Sequence, residues 1–252
     1  GWAESVAALG NWALVADGDA GVALLDFSTP TAPVRFAEYQ TPGWASDVSA
    51  LSNCAYVADT GWGLEILALW DSFPDVPFFQ WAYTNIEAAV SNAIVQGYTD
   101  GLFHPDYAVS RDQMAVFIAR ADTGGVVPVY TGTPHFTDVP ADYWAYNEVQ
   151  YCYGADIIAG YTATTYLPRQ IVTRADMAVF MARAAGWVSI DDDMTTAPDL
   201  FGDIPAGFWA GTAIEACVNN GVVHGYPDGF FQPTWHVSRD QMTVFLGRTY
   251  GY

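Results

Sequence analysis

Three arginines stand where a positive charge is electrostatically disfavoured. Arg111, Arg174 and Arg239 each follow a Ser or Thr able to cap a helix, which places each guanidinium in a first helical turn. A cation there opposes the helix macrodipole at about 0.3–1 kcal/mol. Three such placements point to an anionic partner for each arginine. One candidate partner is an internal Asp or Glu, which this chain has in plenty. Another is a ligand carboxylate, ketal or sulfate, gripped by the planar guanidinium fork. Trp81, Trp144 and Trp209 offer ring faces that could stack on a sugar or fill a core. A second arginine set, Arg120, Arg183 and Arg248, falls near the ends of the same helices. The dipole favours a cation there, so these read as structural.

Catalytic chemistry finds no such pattern. His104, His135, His224 and His236 fall in loops without metal-ligand spacing. No nucleophile elbow, phosphate-binding glycine loop or Cys–His arrangement can be read from the spacing, so the chain reads as non-catalytic and without a cofactor. Asp17-Gly18-Asp19-Ala20-Gly21 and Asp191-Asp192-Asp193 faintly resemble calcium loops. A turn and a solvated linker are the simpler readings, and structural calcium stays open.

Composition removes whole classes of partner. The 252 residues carry 28 Asp and Glu against 8 basic residues, all arginine, for a formal charge of −20. Phosphate backbones are bound through clustered Lys and Arg, so nucleic acid is excluded, and an anionic membrane surface is disfavoured likewise. No apolar run is long enough to cross a bilayer. With 52% hydrophobic and 15% aromatic residues the chain should fold and bury much of its surface. It begins at Gly1 rather than Met, as expected of an exported chain whose signal peptide has been removed or of a piece of a longer product.

The elements that must position the arginines come from internal repeats. Trp81, Trp144 and Trp209 anchor three units, 63 and 65 residues apart. Each Trp is preceded by Phe73, Phe136 or Phe201 and by Asp75, Asp138 or Asp203. Each is followed in register by Gly97, Gly160 or Gly225, by Pro105, Pro168 or Pro233, and then by the two arginines. Every unit reads as helix, turn, helix. Ser110-Arg111-Asp112-Gln113 and Ser238-Arg239-Asp240-Gln241 are capping boxes, and Thr173-Arg174-Ala175-Asp176 is a weaker version. Met114, Phe117, Ile118 and Ala121 form one apolar helical face, and Ile86, Ala89, Val90 and Ala93 another. The connecting turns carry Asp100-Gly101 and Asp228-Gly229 in units one and three but Ala163-Thr164 in unit two. Cys152 and Cys217 occupy equivalent positions. They read either as a disulfide between related helices or as two small buried hydrophobes.

A different repeat fills residues 1–70. Gly1-Trp2-Ala3 recurs as Gly43-Trp44-Ala45, Asn11 as Asn53, Asp17 as Asp59 and Gly21 as Gly63, always 42 residues on. Short apolar segments between Asp, Gly and Pro clusters read as several strands per unit, the pattern of propeller blades. The second unit lacks the turn and final strand that Ser28 to Tyr39 supply in the first. Fewer than two blades leave an open edge and an uncovered face. Upstream blades of a longer precursor, or other subunits, would have to cover them.

The segments GNWALVADGDAGVALLDFSTPTAPV and SNCAYVADTGWGLEIL resemble the LVIVD repeat of secreted β-propellers. FPDVPFFQWAY, IVQGYTDGLFHPDYAVSRDQMAVFIARA and their equivalents resemble the S-layer homology (SLH) family over residues 73 to about 249. That resemblance implies a pseudo-threefold helical assembly whose grooves hold acidic, often pyruvylated, cell-wall polysaccharide through a T-R-A-E-like motif. None of the three motifs here is the full T-R-A-E.

The expectation is therefore a multidomain α+β chain. An N-terminal antiparallel β module of incomplete propeller-like blades (1–70) precedes an α-helical pseudo-threefold SLH trimer (repeats 71–127, 128–190 and 191–252). It should be a non-catalytic, extracellular structural protein of the cell surface or S-layer. Its expected partners are acidic wall polysaccharide and copies of itself in a layer or filament. The alternative is the anchoring fragment of a larger secreted protein or enzyme. Candidate polysaccharide-binding residues are Arg111, Arg174, Arg239, Trp81, Trp144, Trp209, Asp100, Gly101, Asp228 and Gly229, with no metal ligands.

Overall fold

The computed structural model describes residues 2–27, 29–52, 54–69, 71–77 and 80–252. Gly1 and Asn53 of the 42-residue repeat, and Ser28 of its turn, lie outside the described residues. Antiparallel sheets come first and helices follow. The chain forms two compact units: residues up to Tyr83 together with Thr99–Leu102, and Thr84–Tyr98 together with Phe103–Tyr252.

The first unit holds two sheets. Strands β1 (Ser5–Leu9), β2 (Trp12–Ala16), β3 (Val22–Asp26) and β4 (Val34–Tyr39) pair in sequence order. Strands β5 (Trp44–Leu51), β6 (Cys54–Thr60) and β7 (Gly63–Ala68) form the second sheet. Alternation sends Leu14, Ala16, Val22 and Leu24 inward from the first sheet, and Val48, Ala55 and Val57 inward from the second. The two rows make one apolar core. Trp44 lies over Gly18, where a Cβ would stand 2.8 Å from the indole, and Gly18 also has the positive φ (59°) that suits glycine. The Asp17–Gly21 segment closes as a tight turn, with Asp17 N donating to Gly21 O (2.8 Å). The Asp17 carboxylate lies 3.5 Å from the Arg35 guanidinium. Among the described residues no group of three or more His, Cys, Asp and Glu is gathered as a metal site.

The second unit is helical. Its elements are α1 (Tyr83–Ser91, which begins at the division), α2 (Arg111–Thr123), α3 (Tyr146–Gly154), α4 (Arg174–Ala184), α5 (Gly211–Asn219) and α6 (Arg239–Tyr250). Helix α3 packs on α2 and α5 on α4, while α6 touches both α2 and α4. Gly247 of α6 has Asn85 of α1 against it, 2.6 Å from where a Cβ would stand. Each short helix thus leans on the long helix of another repeat.

Two features depart from the helical pattern read in the sequence. Helix α2 is buried from Met114 through Ala119, not along one stripe, because neighbours cover several of its sides. The apolar period of α1 runs past the helix itself. The helix ends at Ser91, Ala93 turns left-handed (φ 56°), and Ile94 N donates back to Ala89 O (2.9 Å). Ala93 is exposed, and Ile94 and Val95 take its place in the core. All three long helices carry capping boxes. The closest pairing is the one expected to be weakest: Thr173 N donates to Asp176 (3.0 Å) and Asp176 N to Thr173 Oγ1 (3.2 Å). In the other two, the Ser110 and Ser238 hydroxyls donate to Asp112 and Asp240 instead.

The loops before the long helices interlock in a closed cycle. Val109 N donates to Val237 O (2.9 Å), Val237 N to Val172 O (3.1 Å), and Val172 N to Val109 O (2.9 Å). All three valines are fully buried. The orphan amides of each long helix are then taken up by another repeat's loop. Arg111 N and Asp112 N donate to Gln170 O and Pro168 O, Arg174 N and Ala175 N to Trp235 O and Pro233 O, and Arg239 N and Asp240 N to Tyr107 O and Pro105 O.

The repeated glycines of this unit serve close packing. A Cβ on Gly160 would stand 2.7 Å from the Phe136 ring, and one on Gly225 would overlap the Phe201 ring. Gly225→Ala should therefore destabilise the helical unit by about 1–3 kcal/mol, the usual range for overpacking, read as a lowered urea midpoint.

Candidate functional site

The three first-turn arginines are built into the cycle. Arg111 donates through Nε to Tyr166 O (2.9 Å) and through Nη2 to Ala159 O (2.9 Å). Arg174 reaches Phe231 O (2.8 Å) and His224 O (3.0 Å) in the same way. Arg239 reaches Phe103 O (2.8 Å) and Gln96 O (2.8 Å). Rings flank each guanidinium. Arg111 lies 4.4 Å from the Tyr166 centroid, Arg174 4.5 Å from Phe231 and Arg239 4.4 Å from Phe103. Arg174 is 5% and Arg239 3% exposed, so neither presents its fork to solvent.

The anionic partner inferred from the dipole argument is present one peptide away. Tyr166 O accepts from Arg111, while the N–H of the same peptide, on Leu167, donates to Asp138 (2.8 Å). Phe231 O accepts from Arg174, and the Gln232 N–H donates to Asp203 (2.7 Å). Each peptide is polarised between a guanidinium and a carboxylate. Leu167 and Gln232 are held left-handed there (φ 57° and 60°), a conformation non-glycine residues rarely take. His104 is left-handed at the same place in the first repeat (φ 55°). Burial pushes the Arg174 pKa down, and Tyr226 and Asp203 push it back up.

The tryptophans are not core. Trp81, Trp144 and Trp209 are 61%, 58% and 51% exposed, which corrects the packing alternative. Trp144 has a defined support. Trp144 Nε1 donates to Asp112 Oδ2 (3.1 Å), and Tyr143 OH donates to the same oxygen (2.6 Å). Asp112 is itself buried, so it holds an exposed indole in place. The second repeat has Ala175 at the position of Asp112 and Asp240.

Within the helical unit, Trp144 borders a cleft of about 350 Å³. Its walls include Tyr98, Gln113, Phe117 and Arg120, with Arg239 beneath. Gln113 Nε2 donates to Tyr98 OH (3.1 Å). The Arg120 guanidinium lies 3.8 Å from Glu148 and remains partly exposed. Sequence reasoning set Arg120 aside as a helix-end residue and did not single out Tyr98 or Gln113. Their signal was the shared register: Tyr98 follows Gly97, and Gln113 is the last capping-box residue.

The Asp–Gly pairs do not join this cleft. Asp228 and Asp100 shape their own turns, accepting from Phe230 N (3.0 Å) and Leu102 N (3.0 Å). Gly101 and Gly229 supply positive φ (82° and 84°). Gly229 borders a separate cleft with Phe201 and Pro205, while Asp100 and Gly101 belong to the first compact unit. In the second repeat the turn closes without glycine, through Tyr161 N to Thr165 O (2.7 Å) and paired Thr162 and Thr165 hydroxyls (2.6 Å). The acidic linker likewise serves its own backbone, with Asp193 accepting from Thr195 N (2.9 Å).

Comparison with known proteins settles the family. The model of the S-layer homology domain matches residues 72–115, 135–178 and 200–243, over half of the chain. The chain belongs to the S-layer homology domain family. The LVIVD repeat model matches residues 1–41 and 42–68 ahead of the SLH repeats. Among relatives, a cellulosome-anchoring protein of Acetivibrio thermocellus is 28% identical over 158 residues, 62% of this chain and 35% of that protein. Cell surface glycoprotein 1 of the same organism is 26% identical over 162 residues, 62% of this chain but 7% of that protein. An S-layer protein of Bacillus thuringiensis subsp. finitimus is 32% identical over 127 residues, 50% of this chain and 15% of that protein. The matched region is thus a minor part of each relative. No helix among the described residues is long and apolar enough to cross a membrane.

The disulfide considered for the SLH region is not formed. Cys152 and Cys217 are free, buried thiols. Cys152 Sγ points at Ala115 O on α2 (3.5 Å) and Cys217 Sγ at Ala178 O on α4 (3.3 Å). Each fills the seam between its short helix and the long helix beneath. Burial pushes the Cys217 pKa up to about 12 and raises that of Cys152 as well. Both thiols should resist alkylation at pH 8 in the folded chain and react once it is unfolded. Intact mass should be the same before and after reduction. Arg174→Ala strands two carbonyls at about 1–3 kcal/mol each. Urea unfolding should show a loss of roughly 2–6 kcal/mol on that basis.

Proposed function

We propose that the SLH repeats, in a pseudo-threefold arrangement with boundaries near 71–127, 128–190 and 191–252, attach this chain to acidic cell-wall polysaccharide outside the cell. The cleft beside Trp144 carries this reading. A partly exposed arginine, Arg120, stands there in a chain of charge −20, next to an exposed indole and a phenol, with the buried Arg239 behind them. That pairing suits a sugar ring bearing an anionic group, with the ring on Trp144 and the charge toward Arg120. Asp112 keeps the indole oriented before a ligand arrives. Arg111, Arg174 and Arg239 act mainly as the frame, contributing positive potential from below. Relatives named as an anchoring protein and an S-layer protein agree with attachment. The β part is what the attachment holds at the surface.

A second reading stands beside it, that copies of the chain also associate into a layer or filament. The observation favouring it is the exposed apolar surface of the β part, where Val6, Leu51, Leu64 and Ile66 are each more than half exposed.

Co-sedimentation with cell-wall sacculi tests attachment. Trp144→Ala and Arg120→Gln should each weaken binding about tenfold, ~1.4 kcal/mol, with the unfolding midpoint near that of the parent. Sacculi stripped of polysaccharide should not bind the parent. Equal binding by the double variant would remove the cleft from the mechanism.

A further inference from the structure

We infer that the β part docks a second copy of this chain front to back, repeating between molecules the sheet packing that it already shows within one. This rests on the assembly reading above and names the surface that carries it. The argument begins from the 42-residue repeat. The first sheet grips the second with a row that includes Leu9, Leu14, Val22 and Leu24. Adding 42 gives Leu51, Tyr56, Leu64 and Ile66 in the second sheet. Those residues lie on the opposite, outer face: Tyr56 pairs with Ile66, while Val57 beside it points into the core. Leu14, Val22 and Leu24 are 1%, 4% and 6% exposed, but Leu51, Leu64 and Ile66 are 68%, 64% and 59%.

The reverse correspondence also holds. The second sheet receives the first with Val48, Val57 and Leu67. Subtracting 42 gives Val6, Val15 and Leu25, which share the outer face of the first sheet. Val48 is 4% and Val57 0% exposed, whereas Val6 is 66% exposed. The packing inside the chain is therefore heterologous, one face type against another. Among the described residues each face type has one uncovered copy, and the two lie on opposite sides of the stacked sheets. A second copy brings both. One copy's Leu64–Ile66 row fits the next copy's Val6–Val15 row for the same reason that Val22–Leu24 fits Val48–Val57. Charge flanks both rows: Arg35 and Glu38 share the face of Val15 and Leu25, where they pair with each other, and Asp47 shares the face of Leu64, so the apolar contact is bounded by charged side chains. Repulsion between copies of charge −20 is the opposing term, and salt should favour association.

Analytical ultracentrifugation of the full chain at about 0.15 M salt, where the screening length is about 8 Å, tests this. The parent should form oligomers that grow with concentration and salt. Leu64→Glu with Ile66→Glu should block one face, and Val6→Glu with Ala8→Glu the other. All four positions are exposed, and thermal unfolding by circular dichroism checks that each variant folds. Each variant alone should be a monomer. An equimolar mixture should give a one-to-one dimer and nothing larger, since each supplies the face the other lacks. Both variants carry added negative charge, so attraction between the introduced residues cannot produce that dimer. A mixture that stays monomeric, or a single variant that forms dimers by itself, would overturn front-to-back docking. Variants that assemble like an assembling parent would overturn this surface and leave self-assembly standing. A parent that stays monomeric would overturn both.

Discussion

A guanidinium placed against neutral carbonyls in a protein interior must be compensated from somewhere. In the helical unit the compensation arrives through the backbone. One peptide of the receiving repeat gives its oxygen to the arginine and its N–H to an aspartate, so charge is balanced across a distance no direct ion pair spans. The arrangement fixes more than charge. It sets the left-handed residue after the accepting carbonyl, the course of the loop that caps the next helix, and the place where the first-turn amides end. The arginine, the FxD motif and the proline loop are separate signals in the sequence but one mechanical joint in the fold.

That joint explains which functional assignments changed on going from sequence to structure. The arginines looked like ligand hands because a helix N-terminus is a poor home for a cation. The inference of an anionic partner was sound, but its form was not legible, because no sequence rule places an aspartate one peptide away. The strict register of the tryptophans favours core packing over surface stacking, but register is blind to direction and the rings are exposed. Trp144 is held by Asp112, a residue that serves the helix cap and the indole together, while Trp209 keeps the same register with Ala175 at the equivalent place. The repeats, the helix–turn–helix order, the capping boxes and the short strands were all legible, because each rests on local spacing. The left-handed end of α1 at Ala93 was not, because the apolar period continues unbroken into Ile94 and Val95.

The three repeats share a frame without sharing a surface. Asp112 and Asp240 become Ala175, glycine turns become a threonine turn, and helix-end arginines have different surroundings. The frame tolerates this because the arginines and aspartates of the joint bind main-chain groups, which nearly any residue supplies. Variation is thereby pushed outward to the clefts. The same division holds in the β part, where Gly18 lets Trp44 seat but the repeat-equivalent position is Thr60, so the spare faces match in their apolar rows without matching at every contact.

The valine cycle has a kinetic side. In an open solenoid, neighbouring repeats touch only each other, and a terminal one can fray while the rest persists. Here Val109 and Val237 bond across 128 positions of sequence, so the final closure must bring distant chain segments together. Loop entropy makes such contacts slow to form, and until the last one forms every helix keeps an unsatisfied neighbour. Folding of this unit should thus be late-committing and all-or-none, and opening it means breaking the joints among all three repeats together. In the wall-attached role proposed above, persistence set by that barrier counts for more than the equilibrium margin.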